Sequence, residues 1–211
     1  MRGRFISFEG GEGAGKTTQV RRLAERLSAK HISCLTTREP GGSPGAEAIR
    51  TLLVSGATGR WDGETEALLM TAARRDHVMR KIEPALIAGQ WVITDRFTDS
   101  TTAYQGYGRG VALDAIEALH GFAVGRTRPE LTLVLDLPVE TGLARALARH
   151  GNETRFERMD AAFHERLRHG FLAIAAADPE RCRVIDASLD ADAVHGRVVA
   201  AVAEAFGFDL A

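Results

Sequence analysis

A chain of 211 residues with 45% hydrophobic content is long enough to bury one full-sized core. A formal net charge of −1 gives no basic field for nucleic acid or for an anionic membrane surface, so any anion site must be built locally. Cys34 and Cys182 lack metal-ligand spacing and fit reduced thiols. No apolar run approaches the ~18 residues of a membrane span, and MRGRFISFEGG lacks the apolar segment of a signal peptide. These features predict a soluble, cytoplasmic protein.

Residues 5–9 read as a first strand, short and mostly apolar. The helix after it carries Val20, Leu23, Ala24 and Leu27 at i, i+3, i+4, i+7. A second strand is predicted over 34–38 and a short helix around Ile49, Leu52 and Leu53. A long helical stretch follows over 64–86, broken or kinked by Pro84. Strands over 91–95, 131–136 and 183–186 alternate with helices over 144–149, 156–177 and 191–206. Strand and helix in alternation predict an α/β fold, a parallel sheet covered by helices on both faces. No linker interrupts it, so residues 1–211 read as one domain. Ligands in such folds bind at the carboxyl ends of the strands.

The first strand ends in FEGGEGAGKTT, where Gly10, Gly15, Lys16 and Thr17 satisfy GxxxxGK[ST] between a strand and an amphipathic helix. Glycines let successive backbone N–H groups turn inward on a phosphate, and the helix N-terminus adds partial positive charge. Residues Gly10, Gly11, Glu12, Gly13, Ala14, Gly15, Lys16, Thr17 and Thr18 are therefore the candidate ATP-binding loop. Lys16 reaches the β and γ phosphates and Thr17 ligates Mg²⁺. With only three lysines in the chain, a lysine at this position is not filler. The guanine-reading NKxD and the DxxG of GTPases are both absent: the one asparagine, Asn152, precedes Glu153, and no aspartate has glycine three residues on.

The strand over 91–95 runs into DRFTDSTTAYQG. Asp95 at its end is placed to hold Mg²⁺, directly or through water, and the planar fork of Arg96 suits a second phosphate. Asp136 is a rival metal acid, but Leu137 and Pro138 follow it rather than a polar cluster.

FEGGEGAGKTTQ, TREPGGSPGAEAIR, AARRDHV, DRFTDSTTAYQG, LTLVLDLP and the RFE region resemble, in order and over nearly the whole chain, the bacterial thymidylate kinase family. The resemblance implies a P-loop kinase fold with five parallel strands and a short lid. It also implies Mg²⁺-dependent transfer from ATP to deoxythymidine monophosphate (dTMP) and a homodimer. Carried over to this sequence, it implies that Arg96, Arg38 and Arg50 bind the acceptor phosphate and that Arg74 bonds the thymine carbonyl edge. Thr101 and Gln105 read the rest of that edge, Tyr104 packs under the deoxyribose, and Glu12 accepts the 3′-hydroxyl. Met70 stands where the family commonly has Phe stacked on the base; a polarizable thioether can lie against a ring.

Residues 149–158 are polar and contain glycine between two helical patterns, as a lid would be. Because Gly11 to Ala14 include no arginine, a transition-state cation beyond Lys16 is expected from this lid. Arg155 matches the family position best, with Arg149 and Arg158 as alternatives. Lys16, Arg96 and Arg155 are thus the expected catalytic cations. A deoxynucleoside kinase and a P-loop switch ATPase remain alternatives, separated by whether the acceptor carries a phosphate and whether ADP formation needs an acceptor.

Overall fold

The computed structural model of the protein describes residues 1–148, 155–208 and 210. The expected lid falls partly on 149–154, so Arg149 and that portion of the lid lie outside the described residues. Five parallel strands, β1 (Phe5–Glu9), β2 (Cys34–Arg38), β3 (Trp91–Asp95), β4 (Leu131–Asp136) and β5 (Cys182–Asp186), form one sheet in the order β2-β3-β1-β4-β5. From β1 the chain crosses to the edge strand β2, returns to β3 beside β1, and then passes to β4 and β5 on the other side. The carboxyl end of β1 therefore sits at the switch point, where open α/β sheets bind ligands.

Strand alternation splits the core between the two faces. Ile6 and Phe8 of β1 with Leu131, Leu133 and Leu135 of β4 meet Val20, Leu23 and Leu27 of α1 (Lys16–Ala29) and Val194, Val198 and Val202 of α9 (Ala191–Phe206). On the opposite face Phe5 and Val92 pack with Ile82, Leu86 and Phe97, and Val134 packs with Phe163, Leu167 and Phe171 of α8 (Ala161–Ala177). That second face also carries a polar row, Thr94, Ser7 and Thr132, in register across three strands. Ser7 and Thr132 bond at 2.9 Å, and Arg181 reaches both Thr132 and Asp99 at 2.6 Å. A buried hydroxyl row is tolerated because the groups satisfy one another.

The helices depart from expectation in places that have physical causes. The stretch predicted over 64–86 is α3 (Gly63–His77), a π-helical turn (Val78–Ile82) and α4 (Glu83–Ile87). Pro84 cannot donate to Arg80 and its ring would crowd that carbonyl; the wider π turn just before it absorbs the conflict. The helix expected from 156 begins only at Ala161, because Asp160 caps it by accepting from the backbone N–H of Phe163 at 2.6 Å. The helix expected at 144–149 starts earlier, as α7 (Val139–Leu147). Three further elements went unpredicted: α5 (Thr98–Thr101), a second π turn (Thr102–Gly108) and α6 (Leu113–Val124). The predicted short helix is α2 (Pro44–Val54), with Pro44 in its first turn.

Candidate active site

The carboxyl edge of the sheet brings the motifs together by register alone: Asp95 is paired with Arg38 of β2 on one side and with Phe8 of β1 on the other. From β1 the chain enters the glycine loop. Gly13 has a positive φ of 69°, and a Cβ there would lie 2.0 Å from the carbonyl oxygen of Gly142 in α7. Only glycine allows the loop to lie this close to that helix. Lys16 folds back over the loop, its ammonium donating to the carbonyls of Gly10 at 3.0 Å and Gly11 at 2.8 Å. Burial, helped by the positive charge of Arg96, brings Lys16 down to about 8.

Thr17 donates its hydroxyl to Asp95 at 2.6 Å. Asp136, the rival acid, is engaged elsewhere by a two-pronged pair with Arg168 at 2.7 and 2.9 Å. Arg96 follows Asp95 with a left-handed φ of 74°, a conformation that bulky residues avoid and that functional sites retain. Its guanidinium donates to the carbonyl of Gly10 at 3.1 Å, to Ser100 and to Glu12 at 3.2 Å, and lies 4.9 Å over the Tyr104 ring. The Tyr104 hydroxyl also donates to Glu12. Burial by itself would raise the Glu12 carboxyl, but Arg96 and Lys16 outweigh it and hold it down to about 2.

These groups open on a cavity of about 220 Å³ that runs from the glycine loop to the side chains of Met70 and Gln105. All nine residues expected to bind an acceptor line it: Glu12, Arg38, Arg50, Met70, Arg74, Arg96, Thr101, Tyr104 and Gln105. Gly13, Ala14, Gly15, Lys16, Thr17 and Asp95 line it too, whereas Gly10, Gly11 and Thr18 do not. At its far end Arg74 is buried and donates through Nε to Glu39 at 2.7 Å and through Nη2 to the carbonyl of Phe97 at 3.0 Å. Its Nη1 has no protein partner, and neither have Thr101 Oγ1 and Gln105 Oε1. Three buried polar atoms without a protein partner, on three residues that line one cavity, are what a polar ligand edge would complete.

Arg155 stands apart from the other expected cations. It does not line the cavity; its neighbours Phe156 and Glu157 do. The Arg155 guanidinium donates to the carbonyls of Leu53 at 3.1 Å, Ala57 at 3.0 Å and Thr58 at 2.9 Å, and pairs with Glu66. At 1% exposure it is one of the most buried side chains among the described residues, so it acts here as a clamp on the turn after α2. Arg158 is exposed. Among the described residues, the cations that line the cavity are Lys16, Arg38, Arg50, Arg74 and Arg96.

Sequence reasoning missed the buried acids. Glu39 accepts from Arg74 and from His77 at 2.9 Å, while His77 reaches Thr37 at 2.7 Å. Glu9 accepts from the backbone N–H of Phe97 at 2.7 Å and from Ser100, and burial together with nearby Asp99 raises its carboxyl to about 7. Glu39 lies within TREPGG, and its place in that motif is the one signal the sequence offers.

Comparison with known proteins identifies a family. A family profile described as thymidylate kinase matches residues 8–198. Thymidylate kinase of Caulobacter vibrioides is 58% identical over 205 residues, which cover 97% of this chain and 98% of that protein. That of Nitrobacter winogradskyi is 54% identical, covering 96% and 89% respectively. The crystal structure of thymidylate kinase from Ehrlichia chaffeensis superposes with a TM-score of 0.76 at 35% identity, covering 96% of this chain and 99% of that one.

Proposed function

Because the chain belongs to the thymidylate kinase family, we propose that this cavity seats dTMP beside ATP and passes it the γ-phosphoryl group, giving dTDP and ADP. The observation that carries the base assignment is the trio of open atoms. Arg74 Nη1 can only donate and Gln105 Oε1 can only accept, while Thr101 can do either. A thymine edge, acceptor then donor then acceptor, meets that set; Met70 is placed on the same cavity to lie against the ring.

Arg96, with Arg38 and Arg50 at the cavity wall, supplies the charge that an acceptor phosphate needs and a neutral nucleoside does not. Glu12, ionised at any working pH, is an acceptor for the sugar 3′-hydroxyl. Lys16 stabilises negative charge as it spreads over the transferring group, and the residues Gly10 to Thr18 cradle the donor phosphates. Thr17 and Asp95 offer a hydroxyl and a carboxylate, hard oxygen donors suited to a magnesium ion that keeps water and phosphate oxygens as its other ligands. Bound there, Mg²⁺ would neutralise charge on the phosphate oxygens.

A homodimer, a single catalytic domain over 1–211 and a cytoplasmic location belong to the same reading. Phe122 on α6 is 85% exposed, and Leu68 and Met79, eleven residues apart along one face of α3 and its extension, are 56% and 48% exposed. Helices α3 and α6 pack on one another, and exposed apolar side chains such as these are what a second copy would cover. Among the described residues no helix is long and apolar enough to cross a membrane.

A coupled assay of ADP formation across nucleosides and nucleoside monophosphates tests the function. We expect turnover with dTMP, less with deoxyuridine monophosphate, and negligible turnover with thymidine. Faster use of thymidine would make the protein a nucleoside kinase, and ADP formation independent of acceptor would make it a switch ATPase.

A further inference from the structure

We infer that Glu66, which has no place in the cavity, sets the base preference of the enzyme by fixing which end of the Gln105 amide faces the substrate. The inference rests on the reading of the cavity as a dTMP site. A glutamine amide can turn over, and its two ends are opposite in hydrogen-bond sense: the oxygen accepts and the NH₂ donates. Nothing in the Gln105 side chain itself chooses between them.

Glu66 makes the choice. It is fully buried on α3, and Arg109 donates to its Oε1 at 2.7 Å, with Arg155 on the same oxygen. A carboxylate facing two guanidinium groups can only accept, and its second oxygen takes the Gln105 Nε2–H at 3.1 Å. Gln105 is itself fully buried, so its Oε1 is left without a protein partner. With Nε2 held by Glu66, the end of this cavity-lining side chain left for a ligand is the acceptor oxygen, which pairs with a base carrying an N–H at ring position 3. Thymine and uracil have that donor; cytosine has a lone pair there, and two acceptors would meet in a buried site. Such a mismatch is strongly rejected because neither group regains water.

Glu66 is thus a positioning residue for specificity. It also shares its oxygen with Arg155, so the clamp on the turn after α2 and the reading of the base hang on one side chain.

Three proteins test this: E66D, which keeps a negative charge for the two arginines but draws the carboxylate away from Gln105, Q105L, and the double variant. The readout is the ratio of kcat/KM for dTMP over deoxycytidine monophosphate. E66D should cut that ratio roughly tenfold, the value of one hydrogen bond with its mismatch. In the Q105L background, E66D should change the ratio little further. A ratio unchanged in E66D, with both acceptors slowed alike, would reduce Glu66 to a structural role and overturn the inference. Multiplying effects in the double variant would do the same. If E66D does not fold, a crystal structure of the unaltered protein with dTMP decides. Base N3 bonded to the Gln105 oxygen supports the inference, and N3 bonded to another group or to water sinks it. Absence of dTMP turnover in the unaltered enzyme would instead be a failure of the proposed function.

Discussion

The two ends of the cavity are built on opposite plans. At the loop end every charged group already has a partner: Lys16 is on two carbonyls, Thr17 is on Asp95, and Arg96 bridges Gly10, Ser100 and Glu12. At the base end Arg74 and Gln105 are each held by buried neighbours yet keep one polar atom without a protein partner, and the buried Thr101 hydroxyl has none. An incoming phosphate must therefore exchange bonds with the protein, while an incoming base completes bonds that are waiting. Exchange gives modest net affinity and strong response to developing charge; completion gives selectivity, since the wrong edge leaves a buried group unpaired.

Arg155→Ala tests the bracing of the base end and should have the largest effect. Losing a buried ion pair and three carbonyl contacts strands Glu66 with Arg109 and Gln105, a cost of about 3 to 5 kcal/mol. Thermal unfolding should show a clearly lowered Tm, with kcat falling only as folded protein is lost. An unchanged Tm with kcat down a hundredfold or more would return Arg155 to the phosphoryl-transfer step that the sequence suggested for it.

Lys16→Ala attacks the loop end. We expect kcat to fall by about 10²- to 10³-fold, the range for a lost electrostatic donor, while the dissociation constant of dTMP moves little. Equal weakening of acceptor binding would show that the two ends are not separable. Arg96→Ala should be milder on chemistry and selective for the acceptor. One charge-assisted contact is worth roughly 1.5 to 3 kcal/mol, so kcat/KM for dTMP should drop by about 10- to 150-fold. Comparable damage to ATP binding in titration calorimetry would make Arg96 a structural tie between Gly10 and Glu12 instead.

The same contrast explains what the sequence could and could not reveal. The strands were legible nearly to the residue because runs such as Leu131–Asp136 are short, apolar and sharply bounded; only the last began one residue earlier, at Cys182. Helix α6 escaped because its apolar residues point both ways, Ile116 and Ala123 inward and Leu113 and Phe122 outward, so no single stripe appears. At the site, the glycine loop and the DRFTDSTTAYQG run announce themselves by local spacing. The bracing does not: Glu66 meets Arg155 across 89 positions and Arg74 meets Glu39 across 35, and no local pattern encodes either. The burial of Arg155 is hidden from the sequence for the same reason. Its position in a polar segment was visible, but which of Arg155, Phe156 and Glu157 turns toward the cavity depends on a distant acid.

The smallest effect we predict is a pH dependence confined to the loop end. In the free protein Lys16 is held down to about 8 from its ordinary 10.5, mainly by burial and then by the positive charge of Arg96. ATP phosphates beside the ammonium favour its charged form, so the pKa in the complex lies above that in the free protein. Between those two values the complex binds more protons than the separated partners, and affinity must fall as pH rises. Below pH 8 Lys16 is charged in both states and the affinity is flat. Above it, ATP affinity should decline by up to about tenfold per pH unit until the pKa of the complex is reached. Glu12, held down to about 2, stays ionised throughout and adds nothing to the slope. Titration calorimetry of ATP from pH 6.5 to 9.5, in two buffers of different ionisation enthalpy, reads both affinity and proton uptake. Uptake of a fractional proton near pH 8 with weakening above it supports this account, and a flat affinity without uptake would mean that Lys16 stays charged in the free loop.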